Sequence, residues 1–308
     1  MQTQATLHLI VNPAAGRGRG GRVHREVLKK AHDHGWHVNE YVTGGRGHAT
    51  TIAAKLPDDE APLLVLGGDG TMNEVINGLR HRSHPVGLVP IGTGNDFARL
   101  LRLRDTDDAL HALREGKRRV VDTALVDVVN EDGTVERRRF INSMGIGFDA
   151  AVAVDVANVR LGSGMLPYLI SVFRVLRTYE AVPSTITFSN VEISSTLFLA
   201  CIGNGTTSGG GFRLTPHAHA DDGLLDLCHV RSTPMRRILA VLPKALSGTH
   251  VHAPEVRMER AAHFNVALDF PLPVHLDGEI LTRQARRLVV TCLPGVFEFF
   301  IPPDSALM

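Results

Sequence analysis

Glycines, a carboxylate and small polar side chains follow one another in Gly67-Gly68-Asp69-Gly70-Thr71-Met72-Asn73-Glu74. The run sits between an apolar strand, Leu63-Leu64-Val65-Leu66, and a segment with Met72, Val75, Ile76 and Leu79 at helical spacing. Glycines where a strand hands over to a helix let the backbone turn tightly and approach a ligand. The free N–H groups of the helix start then face that ligand, and the helix dipole favours an anion. A carboxylate, Asp69, makes chemical sense in such a loop when a metal ion accompanies the phosphate. These residues suggest a nucleotide–metal site.

A second loop repeats the logic. Pro90-Ile91-Gly92-Thr93-Gly94-Asn95-Asp96 ends a strand and places Asn95-Asp96 at a helix start, where either residue also serves as a plain N-cap. Two such loops at the carboxyl ends of neighbouring strands favour a ligand crevice. Gly16-Arg17-Gly18-Arg19-Gly20-Gly21 fits G-x-G-x-x-G, with Glu40 about 20 residues on. Asn12-Pro13-Ala14-Ala15 separate it from the strand, so it reads as a simple loop or as a phosphate-clasping loop of another kind. No G-x-x-x-x-G-K-[ST] occurs. Further along, 142–150, 203–205 and 209–211 are Gly-rich loops, each alone explicable as turn chemistry. Asp221-Asp222-Gly223 is a turn or a hard-cation site, and Asp277-Gly278-Glu279 a turn or a carboxylate presented at a domain interface.

The elements that position these loops alternate over 1–118. Strands are expected at 7–11, 36–42, 63–66 and 86–89, with helices at 23–31, 49–56, from 70, near 95 and at 107–115. This rhythm predicts a mostly parallel sheet with helices on its faces. Beyond 118 the pattern is β-rich. A strand over 120–129 leads into the turn Asn130-Glu131-Asp132-Gly133, and a hairpin crosses Ser189-Asn190. Shorter strands are expected at 224–230, 256–259, 264–268, 274–276 and 287–292. Helices are expected at 148–157, 166–180 and 235–246.

Composition narrows the functional classes. Lys+Arg 33 against Asp+Glu 32 gives +1, so no bulk charge argues for nucleic acid. Sixteen His are dispersed, without zinc-type spacing beside cysteines. Cys201, Cys228 and Cys292 read as reduced, buried thiols of a cytosolic protein. The N-terminus lacks a signal-peptide pattern, and no apolar run approaches the roughly 20 residues of a membrane span, so membrane contact is expected to be peripheral.

Asn12-Pro13, the 67–74 run continuing to Gly78-Leu79, 90–98, 142–150 and Asp277-Gly278-Glu279 together resemble, in order and over nearly the whole chain, the diacylglycerol kinase catalytic-domain family. That family includes diacylglycerol, sphingosine and ceramide kinases and soluble bacterial lipid kinases. The resemblance implies an α/β nucleotide domain over 1–118, related to those of phosphofructokinase and NAD kinase. A β-sandwich acceptor domain over 119–294 follows, and the tail 295–308 returns to the first domain. It implies ATP-dependent transfer of the γ-phosphate to a lipid hydroxyl, of diacylglycerol or a related lipid, with Mg²⁺. By motif position, Asn12, Thr43, Gly68, Asp69, Gly70, Thr71, Met72, Asn73, Glu74 and Thr93 would line the nucleotide site. Glu279 would be the general base, and Asp69 the second catalytic carboxylate, serving the metal. Asp222, with the backbone oxygens of His219 and Leu224, would match a structural Mg²⁺ site.

The resemblance also implies a cytoplasmic enzyme working peripherally at the inner membrane face. Arg17, Arg19, Arg22 and Arg25, with Arg137, Arg138 and Arg139, are candidate headgroup contacts; a homodimer is left open. Two other readings stay open: a NAD kinase-like small-molecule kinase, which shares the Gly-Gly-Asp-Gly-Thr loop, and a non-catalytic lipid- or nucleotide-binding protein. Asn73-Glu74 directly after the loop and Gly92–Asp96 favour a lipid kinase, and the pairing of Asp69 with Glu279 favours catalysis.

Overall fold

The computed structural model describes residues 5–80, 83–115, 117–156 and 166–303. The chain forms two compact units, Met1–Asp122 with Gly295–Met308, and Thr123–Pro294.

In the first unit, β1 (Thr6–Val11), α1 (Ala15–Asp33), β2 (His37–Val42), α2 (His48–Ala53), β3 (Leu63–Gly67), α3 (Asp69–Gly78), β4 (Val86–Pro90), α4 (Asp96–Leu100) and α5 (Thr106–Glu115) follow in order. The ladders β2–β1, β1–β3 and β3–β4 are all parallel. β3 and β4 are buried at every position, as strands covered on both faces must be, and this explains their unbroken apolar runs. The chain's last strand returns here: Phe299 pairs in parallel with Val86, and its ring meets Phe97 edge-on at 4.9 Å.

The second unit is antiparallel. It takes up β5 (Arg118–Asn130) from Thr123 onward, β6 (Val135–Phe140), β7 (Ser143–Gly147), α6 (Phe148–Val156), α7 (Leu166–Leu176), β8 (Val182–Phe188), β9 (Val191–Gly203), β10 (Leu225–Arg231), α8 (Met235–Val241), α9 (Lys244–Ser247), β11 (Val256–Ala261), β12 (His263–Leu276) and β13 (Glu279–Phe300) up to Pro294. Its strands neighbour one another in the order β11-β10-β9-β7-β12-β13, with β8 against β12 and β9, and β5 against β6. A parallel sheet therefore describes only the first unit.

Three elements differ from the sequence reading. Residues 143–147 form a fully buried strand, β7, between β12 and β9, rather than part of a loop. Its glycines mask a strand because side chains from elsewhere need their space, as shown below. The segments 264–268 and 274–276 belong to one strand, β12, whose register shifts between Ala267 and His275. Pro271 and Pro273 lie in that stretch, and proline lacks the N–H a regular ladder needs. The helix read over 235–246 is broken before Lys244, at Pro243. The helix end read at Ala157 lies outside the described residues.

Candidate functional site

In the first unit, the turns after β1, β3 and β4 converge. A Cβ on Gly68 would lie 2.8 Å from Gly92 Cα, and one on Gly92 would lie 2.7 Å from Gly68 Cα. Only glycine permits this backbone approach. A Cβ on Gly16 would collide with Ile91 O, so the third turn closes on the same place. Asn12 ties two turns together: its Nδ2 donates to Thr71 Oγ1 at 2.9 Å, and its Oδ1 accepts Ala14 N–H at 3.1 Å.

The carboxylates here cap helix starts. Asp69 Oδ1 accepts Phe97 N–H at 3.0 Å and its Oδ2 accepts Asp96 N–H at 3.2 Å, so it caps α4 and clamps one Gly-rich turn to the other. Glu74 does the same for α2, accepting Gly47 N–H at 2.7 Å and Ala49 N–H at 3.1 Å. The sequence reading placed both at the ligand; their capping role was not legible there, because partners about 25 residues away leave no local pattern. Met72 is wholly buried in the core, so its side chain packs rather than binds. Thr43, Thr71 and Asn73 are buried, Gly68 and Gly70 half-buried, and Thr93 exposed. Arg17, Arg19, Arg22 and Arg25 are exposed, with Arg17 at φ 60° in the left-handed turn of Gly16 and Gly18.

Asn95 gives a direct test of whether a nucleotide with its cation fits. It sits at φ 54°, and its Oδ1 is buried without a hydrogen-bond donor. An unmet buried acceptor costs about 1–3 kcal/mol. Beside side-chain-free backbone at Gly92, it suits a ligand donor or a cation. The residues fit the group.

In the second unit, the hairpin between β12 and β13 presents Glu279. Leu276 pairs with Glu279 across a two-residue loop, and Asp277 and Gly278 are both left-handed (φ 51° and 85°), as a type I′ turn requires. Asp277 anchors the turn from below. Its buried carboxylate accepts the N–H groups of Ile141 (3.0 Å), Asn142 (2.9 Å) and Ser143 (3.0 Å). Glu279 itself is exposed.

His275 and Asp149 form a buried pair at 3.2 Å, and His275 Nδ1 accepts the Gly278 N–H at 3.4 Å. That acceptor role leaves Nε2–H to donate to Asp149. The pair lies against β7 at Gly145, where a Cβ would collide with both side chains. It also lies at a cavity of about 100 Å³ whose other walls include Phe148, Phe198, Leu199, Phe212, Ile238 and Leu242. Apolar walls with a few convergent polar groups are the usual make-up of a small-molecule site. Sequence reasoning missed the cavity and His275. Its one signal was Asp149, a carboxylate opening the apolar helix α6.

The turn read as a metal site is occupied by protein groups. Asp222 Oδ1 accepts Leu224 N–H at 3.0 Å, and Oδ2 is ion-paired with Arg260, which also reaches Asp226 at 3.3 Å. Burial pushes the Asp226 carboxyl above its ordinary range, against the pull of Arg260. A divalent ion at His219, Asp222 and Leu224 would compete with Arg260 for the Asp222 carboxylate.

Comparison with known proteins agrees with both halves. Residues 6–126 match the family model for the diacylglycerol kinase catalytic domain, and 142–301 match that for the YegS C-terminal NAD kinase beta sandwich-like domain. A diacylglycerol kinase of Staphylococcus carnosus (strain TM300) is 30% identical over 276 residues, 88% of this chain and 87% of that one. One from Staphylococcus epidermidis (strain ATCC 12228 / FDA PCI 1200) is 29% identical over 301 residues, 96% and 92%. In fold, a crystal structure of a diacylglycerol kinase from Bacillus anthracis str. Sterne gives a TM-score of 0.69 at 21% identity, covering 99% of this chain and 100% of that one. Yeast NADH kinase gives 0.54 at 11% identity, over 99% and 85%. The chain belongs to the diacylglycerol kinase family, and it is a lipid kinase.

Proposed function

We propose that the chain transfers the γ-phosphate of ATP to the hydroxyl of diacylglycerol or a closely related lipid. The observation that carries this reading is the apolar cavity with the Asp149–His275 pair at one end.

The turns at Gly68 and Gly92 would hold the nucleotide phosphates through backbone N–H groups, with Asn12, Thr43, Gly70, Thr71, Asn73 and Thr93 around them. Asn95 Oδ1 would meet the accompanying cation or one of its waters. Mg²⁺, when bound with the nucleotide, neutralises charge developing on the phosphoryl oxygens. Asp69 and Glu74 fix the turns that carry those donors. Glu279 would accept the proton of the acceptor hydroxyl, worth roughly 10²–10⁴-fold. Its position directly after a turn held by three N–H groups on Asp277 supports that role, since a base must be placed before it can act.

The acceptor resides in a bilayer, and among the described residues no helix is long and apolar enough to cross one. Reversible contact with a membrane surface, on the side where ATP is available, is the localisation we propose. Incubation with γ-labelled ATP and, separately, diacylglycerol, sphingosine, phosphatidylglycerol and NAD tests the reading. Label in diacylglycerol or a related lipid is expected; label in NAD alone overturns it.

A further inference from the structure

Helix α8 is out of place as a surface element. Five of the seven residues in Met-Arg-Arg-Ile-Leu-Ala-Val are apolar, yet none is buried. Its inner face and that of α9 are accounted for: Ile238, Val241, Leu242 and Ala245 help wall the cavity. The outer face is not. Met235 and Leu239, one helical turn apart, are each 42% exposed, and Leu246 is 45% exposed.

Charge says what covers this face. Residues 231–254 contain Arg231, Arg236, Arg237 and Lys244 and no Asp or Glu. Arg237 is taken by Glu255 at 2.6 Å, while Arg236 and Lys244 are exposed on the same two helices as the apolar side chains. A short helix with exposed apolar residues, interleaved with basic ones and free of acidic ones, has the make-up of an interfacial segment on anionic lipid. A protein partner would need complementary carboxylates and a fixed shape; a leaflet needs only depth and negative charge.

We propose that α8 and α9 are the surface on which the protein sits on an anionic bilayer. Met235, Leu239 and Leu246 enter the headgroup layer, and Arg236 and Lys244 meet the lipid phosphates. The helices that touch the leaflet outside are those that wall the cavity inside, so a lipid leaving the leaflet has little water to cross. This rests on the reading that the acceptor is a bilayer lipid.

The test uses full-length protein and vesicles of phosphatidylcholine with phosphatidylglycerol, carrying diacylglycerol. One variant combines Met235→Ser, Leu239→Ser and Leu246→Ser; another combines Arg236→Glu and Lys244→Glu. Sedimentation should show the charge variant weakened about 30-fold or more at low salt. The apolar variant should be weakened roughly tenfold or more at any salt. Both should melt like the parent and phosphorylate a water-soluble short-chain diacylglycerol at the parent's rate. Parental vesicle binding by both variants overturns the proposal. If no form phosphorylates any lipid while binding still follows this pattern, the docking surface stands and the kinase reading fails.

Discussion

Gly145→Ala probes the site where fold and chemistry meet. Gly145 lies in β7, between β12 and β9, and an added Cβ would sit 2.6 Å from Asp149 Cγ, where ordinary contact begins at 3.4 Å. It would press harder still on Asp149 Oδ2 and His275 Nε2. These are the two atoms of the pair at 3.2 Å, and both side chains are more than nine-tenths buried, so neither has open space to retreat into. Overpacking of this kind costs about 1–3 kcal/mol. Losing a charge-assisted hydrogen bond adds about 1–3 kcal/mol. A loss of about 2–6 kcal/mol lowers the melting temperature of a unit this size by about 4–24 °C. Acceptor use should suffer with it, as a raised KM for the lipid and an unchanged KM for ATP. Thermal melting and steady-state kinetics measure both. Repeating Gly145→Ala in a His275→Ala background isolates the cause: with one colliding side chain gone, the substitution should cost measurably less. A parental melt for Gly145→Ala, or strict additivity in that cycle, would refute the packing account.

Other substitutions separate the carboxylates. Glu279→Gln should lose kcat with little change in melting or in Mg²⁺ requirement; unchanged turnover returns Asp277-Gly278-Glu279 to a simple turn. Asp69→Asn should lower the melting temperature as well as activity, because one of its two backbone donors then faces an NH₂ group; an unaltered melt would remove its clamping role. Millimolar Mg²⁺ should leave the parent's melting temperature unchanged, whereas Arg260→Ala, which bares Asp222 and Asp226, should make it Mg²⁺-dependent; a Mg²⁺ response in the parent restores a metal at that turn. Burial pushes the Cys228 thiol up to about 12, so iodoacetamide at pH 8 should leave it unmodified in the native protein and alkylate it in urea. At Asp59, burial favours the neutral acid, but Ala61 N–H and His8 outweigh it and hold the carboxyl below its ordinary range. Its contribution is complete above the unfolded value of about 4 and lost as the pH falls through the lower folded value. Asp59→Asn should therefore melt below the parent at neutral pH, and the gap should close in acid below the folded value.

Legibility in the sequence followed the range of the interactions. The strand–turn–helix units of the first unit were readable because β1, β3 and β4 are short apolar runs ended by Gly, Pro or Asn, all local signals. Asp277-Gly278 was readable as a turn for the same reason, since only such residues favour two successive left-handed conformations. The purposes of Asp69, Glu74 and Asp277 were not, because their partners lie about 25 to 135 residues away. β7 was hidden by Gly145, whose missing side chain makes room for a pair that meets only in the folded unit. The cavity left no motif, because its walls come from β9, β10 and helices on either side of them in sequence.

The central claim is that the lipid acceptor binds against these apolar cavity walls. A diacylglycerol carrying a photoactivatable diazirine on one acyl chain tests it most directly, with ATP turnover of the same compound as the control for productive binding. Cross-links mapped by mass spectrometry are predicted at cavity walls such as Phe148, Phe198, Ile238 and Leu242, and competed away by unlabelled diacylglycerol. A compound that is phosphorylated yet cross-links nowhere in the cavity would contradict the account.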